Sequence, residues 1–117
     1  MPWVRRRRKR RAMFEFPAKL IRCVDADTVR LEMDVGFGMI RREASYRLSR
    51  IDAPELSTDA GKLAKAALEG HLAGKTLVAQ TYKADNFGRY LIELQGDGAN
   101  VSDWLVANGY AAYKDFS

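Results

Sequence analysis

Three short segments hold most of the groups that phosphate-ester chemistry could use: VDADTVRL at 24–31, YRLSRIDAPE at 46–55 and DNFGR at 85–89. Between them they offer carboxylates at positions 25, 27, 52, 55 and 85 and arginines at 47, 50 and 89. Carboxylate and carbonyl oxygens suit a hard cation such as calcium, which takes about 6–8 oxygen ligands. A cation held there polarises a phosphoryl oxygen and brings water close. A further carboxylate can take the proton of that water. Guanidinium groups donate paired hydrogen bonds to phosphate oxygens as charge builds up, with a planar fork that lysine cannot reproduce.

These residues need a scaffold, and hydrophobic periodicity outlines one. Residues 18–24 and 27–33 read as strands joined by a tight turn; in the second, Val29, Leu31 and Met33 alternate with Arg30 and Glu32. Residues 34–43, with Gly36 and Gly38, suggest a hairpin connection, and 44–51 a third strand that Pro54 stops. Over 59–73 the period becomes helical, through Ala60, Leu63, Ala64, Ala67, Leu68 and Leu72. Ser57, Thr58 or Asp59 can cap the start of that helix, and Gly74 suits its end. Strands are expected at 76–82 and 89–95, then the loop GDGAN. A short helix at 101–108 follows, capped by Asn100, with Asp103 in its first turn and Gly109 just past its end.

This order predicts a mainly β, α+β fold: a five-stranded OB-type barrel with one main helix and a short C-terminal helix. One obstacle is geometric. Arg47 and Asp52 are five positions apart, so on a straight strand they point to opposite faces. A shared site demands a bend or bulge before Pro54.

The chain's 117 residues allow one domain, and 47% apolar with 30% charged content is ordinary for a globular protein. Its net charge of +5 is concentrated in RRRRKRR, residues 5–11; the remaining 13 Lys/Arg face 15 Asp/Glu. Residues 1–12 are therefore expected to be a disordered basic arm, and 13–117 the folded domain. Arg5, Arg6, Arg7, Arg8, Lys9, Arg10 and Arg11 form an array suited to phosphate polymers. A nuclear-localisation-like signal, an anionic-membrane patch and a solubilising arm are rival readings of it. No apolar run follows the arm as in an export signal, and none approaches the roughly 18 residues of a membrane span. An intracellular monomer with no membrane partner is expected. The single cysteine, Cys23, reads as a buried thiol.

The three segments, in order and with compatible spacing, make the chain resemble the staphylococcal nuclease (thermonuclease) family. That family's pattern is V-D-G-D-T-V, R-L-x-x-[IV]-D-[AT]-P-E, D-x-[YF]-G-R and V-N-x-x-L-V-x-x-G-x-A, the last matched here by NVSDWLVANGYA at 100–111. The likeness covers roughly residues 18–112. It implies that Asp27 and Asp52 are carboxylate ligands of Ca2+, with Ala53 contributing its backbone carbonyl. It implies that Glu55 is the general base and that Arg47 and Arg89 grip the scissile phosphate. It further implies cleavage of the 5′ O–P bond of DNA, with RNA as a second candidate substrate. The chain departs from the pattern at Ala26, where glycine is usual, and at Phe87, where tyrosine is frequent. Phe87 retains a face for stacking on a base.

Two other classes stay open. One is a non-catalytic OB-type module that binds nucleic acid; the other is a structural or interaction module of a viral or mobile-element assembly. Simpler readings hold for several polar residues. Asp25, Asp59, Asp97 and Asp103 suit turns and caps. Arg50 reads as a surface residue, His71 as a surface or satisfied helix residue, and Tyr110 and Tyr113 as packing or rim aromatics.

Overall fold

The computed structural model describes residues 14–84 and 90–114, without the side chains of 14, 82–84 and 90. In chain order the elements are β1 (Phe14–Asp25), β2 (Thr28–Gly36), β3 (Ile40–Leu48), β4 (Ile51–Asp52), α1 (Asp59–Leu72), β5 (Leu77–Ala84), β6 (Tyr90–Gly96), β7 (Ala99–Asn100), α2 (Val101–Ala107) and β8 (Ala112–Tyr113). The expected basic arm, Phe87 and Arg89 lie outside the described residues.

β1, β2 and β3 form an antiparallel meander, β5 returns beside β1, and β6 pairs with β5. β6 also runs parallel to β3, with Tyr46 opposite Tyr90 and Leu48 opposite Ile92. That pairing closes the five long strands into the expected OB-like barrel, capped by two helices. Its interior is the alternation legible in β2: Val29, Leu31 and Met33 are buried, and Tyr46, Leu48, Ile92 and Leu94 meet them. α1 adds Leu68 and Leu72, and α2 adds Val101 and Leu105. Outside, Glu32 and Glu43 lie directly opposite each other, a repulsive pairing. Each is answered by an arginine, Arg41 on Glu32 at 3.0 Å and Arg30 on Glu43 at 2.7 Å.

Two strands are longer than the periodicity suggests. β1 begins at Phe14 and runs through Pro17, which pairs with β5 just before the β2 ladder starts at Ala18. A residue lacking an N–H is tolerated there because only one side of the strand carries a partner. β3 begins at Ile40, because the turn after β2 is short: Phe37 and Gly38 both have positive φ. Asp34 Oδ1 accepts hydrogen bonds from the Gly36 and Gly38 N–H groups and holds that turn.

Thr58 is the N-cap of α1, accepting from the Gly61 N–H at 3.0 Å, and Asn100 caps α2 by accepting from Asp103 N at 2.9 Å. Leu63, expected on the buried face of α1, is 64% exposed; the face that packs is Gly61, Ala64, Leu68 and Leu72. Cys23 is buried as expected, and burial pushes its thiol up to about 12. Among the described residues no helix is long and apolar enough to cross a membrane.

Candidate active site

The turn between β1 and β2 carries the first site residue. Ala26 is fully buried and keeps a negative φ, so the turn needs no glycine. Asp25 Oδ1 accepts from the Asp27 N–H at 3.2 Å, an Asx-type closure. The Asp27 side chain is then largely enclosed. Its Oδ2 lies 2.9 Å from Arg47 Nη1 and accepts from Ala53 N at 3.0 Å. Its Oδ1 accepts from Thr28 Oγ1 at 3.3 Å. Burial pushes the Asp27 carboxyl above its ordinary range, and neighbouring Asp25 adds to this; the Ala53 N–H and Arg47 oppose it.

Arg47 comes from the end of β3, opposite Thr28. Its side chain is only 8% exposed and spans several acceptors. Nη1 reaches the Asp27 carbonyl at 3.3 Å, and Nη2 reaches the Ile51 carbonyl at 3.2 Å and Asp52 Oδ1 at 3.3 Å. One guanidinium therefore joins the two carboxylates. The strand parity that would separate Arg47 from Asp52 is broken by the turn at Ser49–Arg50, where Arg50 adopts φ +69°. The chain reverses its facing there and resumes as β4, which pairs with β8 rather than with the barrel. Asp52 is half exposed, and Lys114 Nζ stands 3.9 Å from its other oxygen.

The turn has its own anchors, which sequence reasoning missed. Ser49 N donates to the Ile92 carbonyl at 2.8 Å, Ser102 Oγ to the Ser49 carbonyl at 3.0 Å, and Lys114 N to the Arg50 carbonyl at 2.7 Å. Arg50 is a surface residue, as expected, but it is not idle: its guanidinium is bound to Glu93 and Asp103. Arg50, helped by Tyr113, holds the Asp103 carboxyl below the usual range. The available signal was Glu93 itself, a carboxylate inside the apolar run Leu91–Leu94, which cannot be buried without partners.

Glu55 sits three residues beyond Asp52, after Pro54, and is exposed. The start of α1 fixes its backbone. The Glu55 carbonyl accepts from Thr58 N at 3.0 Å and Thr58 Oγ1 at 2.6 Å. Gly61 lies so close that a Cβ on it would be 1.9 Å from that carbonyl oxygen. The structure thus brings Asp27, Arg47, Asp52 and Ala53 into contact, and mounts Glu55 on the adjoining turn. Ala53 engages through its N–H, on Asp27.

The donor set can be weighed for a metal ion. Among the described residues no group of three or more His, Cys, Asp or Glu is gathered for one. Asp27 and Asp52 offer only oxygen, and they converge on a single positive group. The Arg47 guanidinium is the cation between them; an ion held here would take oxygen from Asp27 and Asp52 and complete its shell with water or substrate.

Comparison with known proteins decides the family. Residues 45–117 match the model of the staphylococcal nuclease homologue family, a span that holds Arg47, Asp52, Ala53 and Glu55. This chain belongs to that family. A protein from Escherichia coli O157:H7 named "Uncharacterized endonuclease" is 33% identical over 101 residues, covering 85% of this chain and 62% of that protein. A protein from Oryza sativa subsp. japonica named "Probable staphylococcal-like nuclease CAN2" is 32% identical over 73 residues, 62% of this chain and 20% of that protein. The chain therefore spans 62% of the length of its bacterial relative and a smaller share of the plant one. Asp27 lies outside the span of the family model and joins the other residues through the fold.

Proposed function

We propose that this protein is a Ca2+-dependent nuclease that hydrolyses phosphodiester bonds in DNA, with RNA as a second candidate substrate. The observation that carries the reading is the convergence of Asp27 and Asp52 on the Arg47 guanidinium, beside a turn that carries Glu55. The family relationship and the names of the relatives support it. Asp27 and Asp52, with the Ala53 carbonyl, would hold the ion. When bound, Ca2+ supplies a Lewis acid for a phosphoryl oxygen and a place for water.

The chain's own residues then have separable tasks. Glu55 is exposed, with its carbonyl held by the start of α1, and its carboxylate takes the proton of the attacking water. Arg47 exchanges part of its contact with the carboxylates for the phosphate oxygens, and Arg89 grips the same phosphate. Arg5–Arg11 add non-specific affinity by releasing counterions, and Phe87 stacks on a base. The protein acts as an intracellular monomer.

The test is incubation of the purified chain with plasmid and with single-stranded DNA and RNA, in Ca2+ or chelator. Cleavage in Ca2+ that leaves 3′-phosphate ends, and that Arg89→Ala abolishes, supports the reading. Tight binding without cleavage in any divalent metal refutes it in favour of a non-catalytic module, and absence of both favours an interaction role.

A further inference from the structure

The strongest cluster outside the proposed site surrounds Glu93, on β6. Its side chain is 8% exposed, and four donors fill it. Ser49 Oγ donates to Oε2, Arg50 Nε to the same oxygen at 2.5 Å, Arg50 Nη2 to Oε1 at 2.9 Å, and Asn100 Nδ2 to Oε1 at 2.8 Å. Three of these four donors belong to the Ser49–Arg50 turn. The third arm of the arginine reaches Asp103 Oδ1 at 3.0 Å, which also accepts from the Tyr113 hydroxyl at 2.7 Å.

A turn that only needed φ +69° would be made most cheaply by glycine, since a Cβ disfavours that conformation. This chain uses an arginine there and ties its fork to a buried carboxylate. What the turn accomplishes is specific. It reverses the facing of the strand, so that Asp52 meets the same guanidinium as Asp27. Without the reversal, the five-residue spacing would turn Asp52 away from Arg47.

We propose that Glu93 is a positioning residue for the site: through Arg50 and Ser49 it fixes the turn that delivers Asp52 to Arg47 and Asp27. Its four donors come from Ser49, Arg50 and Asn100, and it acts on the site through the turn. The proposal rests on the reading of Asp52 as an ion-binding carboxylate.

Glu93→Gln removes the charge that the arginine fork engages while keeping size. Arg50→Gly tolerates the left-handed turn but removes the fork, and Arg50→Lys restores one charged donor. The full chain carries each variant, with Asp52→Asn as the reference. Three quantities are read: Ca2+ affinity by isothermal titration, kcat and KM on a labelled single-stranded oligonucleotide, and Tm. Glu93→Gln and Arg50→Gly are expected to weaken Ca2+ binding by about 10- to 100-fold, as when a residue orienting a ligand is lost. Their kcat falls about 100-fold, the usual consequence of a ligand displaced by about 1 Å. KM for the oligonucleotide stays near wild type, and Arg50→Lys recovers part of both losses. If Glu93→Gln does not fold, Arg50→Gly carries the test alone. A lowered Tm with wild-type Ca2+ affinity and kcat overturns the positioning role while Asp52→Asn is impaired. Wild-type values in Asp52→Asn overturn instead the site reading beneath it.

Discussion

Gly61→Ala is the mildest substitution that should disable the proposed site from outside it. The added Cβ would lie 1.9 Å from the Glu55 carbonyl oxygen, 2.5 Å from its carbonyl carbon and 2.9 Å from the Pro54 carbonyl oxygen. Real Cβ contacts stay beyond 3.0 Å, so the loop must retreat from the helix by about 1.1 Å. All three obstructing atoms are backbone, and no side-chain rotation relieves them. In the interior of a helix, alanine is otherwise better than glycine by about 0.5–1 kcal/mol. Overpacking costs about 1–3 kcal/mol, so the two effects partly cancel and the fold survives. Glu55, the proposed general base, moves with its backbone, and a misplacement near 1 Å lowers the rate by about 100-fold. The assay is steady-state cleavage of a labelled oligonucleotide in Ca2+, with Tm measured alongside. A folded Gly61→Ala protein with wild-type kcat would refute both the tight packing of this loop and the assignment of Glu55.

Other consequences follow from burial and charge. Arg47→Ala removes the cation that the buried Asp27 carboxylate faces among the described residues, the pair being only 8% and 12% exposed. It should destabilise the fold by about 3–5 kcal/mol in urea unfolding; a loss below about 1 kcal/mol would place the pair among weak surface contacts. The Cys23 thiol, raised to about 12, should resist iodoacetamide near pH 8 in the folded protein and react after denaturation. His71 stacks on Trp104 with ring centroids 3.7 Å apart, and burial and Lys75 hold its imidazole below the ordinary 6.5. The unfolded chain therefore takes the proton first. Stability is intact above about pH 6.5 and falls as pH drops through the folded value. His71→Phe should flatten the fall in Tm between about pH 7 and 5; an unchanged slope would show that other groups set it.

Much of the barrel was legible because its strands alternate and its helices announce their ends. Val29, Leu31 and Met33 fall on one face as their spacing demands, and Asn100 caps α2. Gly109 follows α2 in the left-handed conformation its position suggested. Local patterns failed where a long-range partner decided the outcome. The end of β3 was placed three residues too late, because the Ser49–Arg50 turn is held by β6, α2 and the β8 segment rather than by turn-forming residues. Glu93 attracted no attention because its partners on the turn lie 43 and 44 residues away in sequence. β7 and β8 contain two residues each, too few for any periodicity to register. At the site, Asp27, Arg47, Asp52 and Ala53 were named from the motifs, and the fold brings them together. The bend they required was foreseen as a need, while its agent, a left-handed arginine, was not.

The most direct measurement is the single-turnover cleavage rate of a defined DNA oligonucleotide by wild type and Glu55→Gln, with Ca2+ binding measured on both proteins. The proposed roles predict Ca2+-dependent cleavage by the wild type. They predict a Glu55→Gln protein that binds Ca2+ as well but cleaves about 10²- to 10⁴-fold more slowly, the share expected of a general base. Equal rates in the two proteins, or cleavage that persists in chelator, would contradict it.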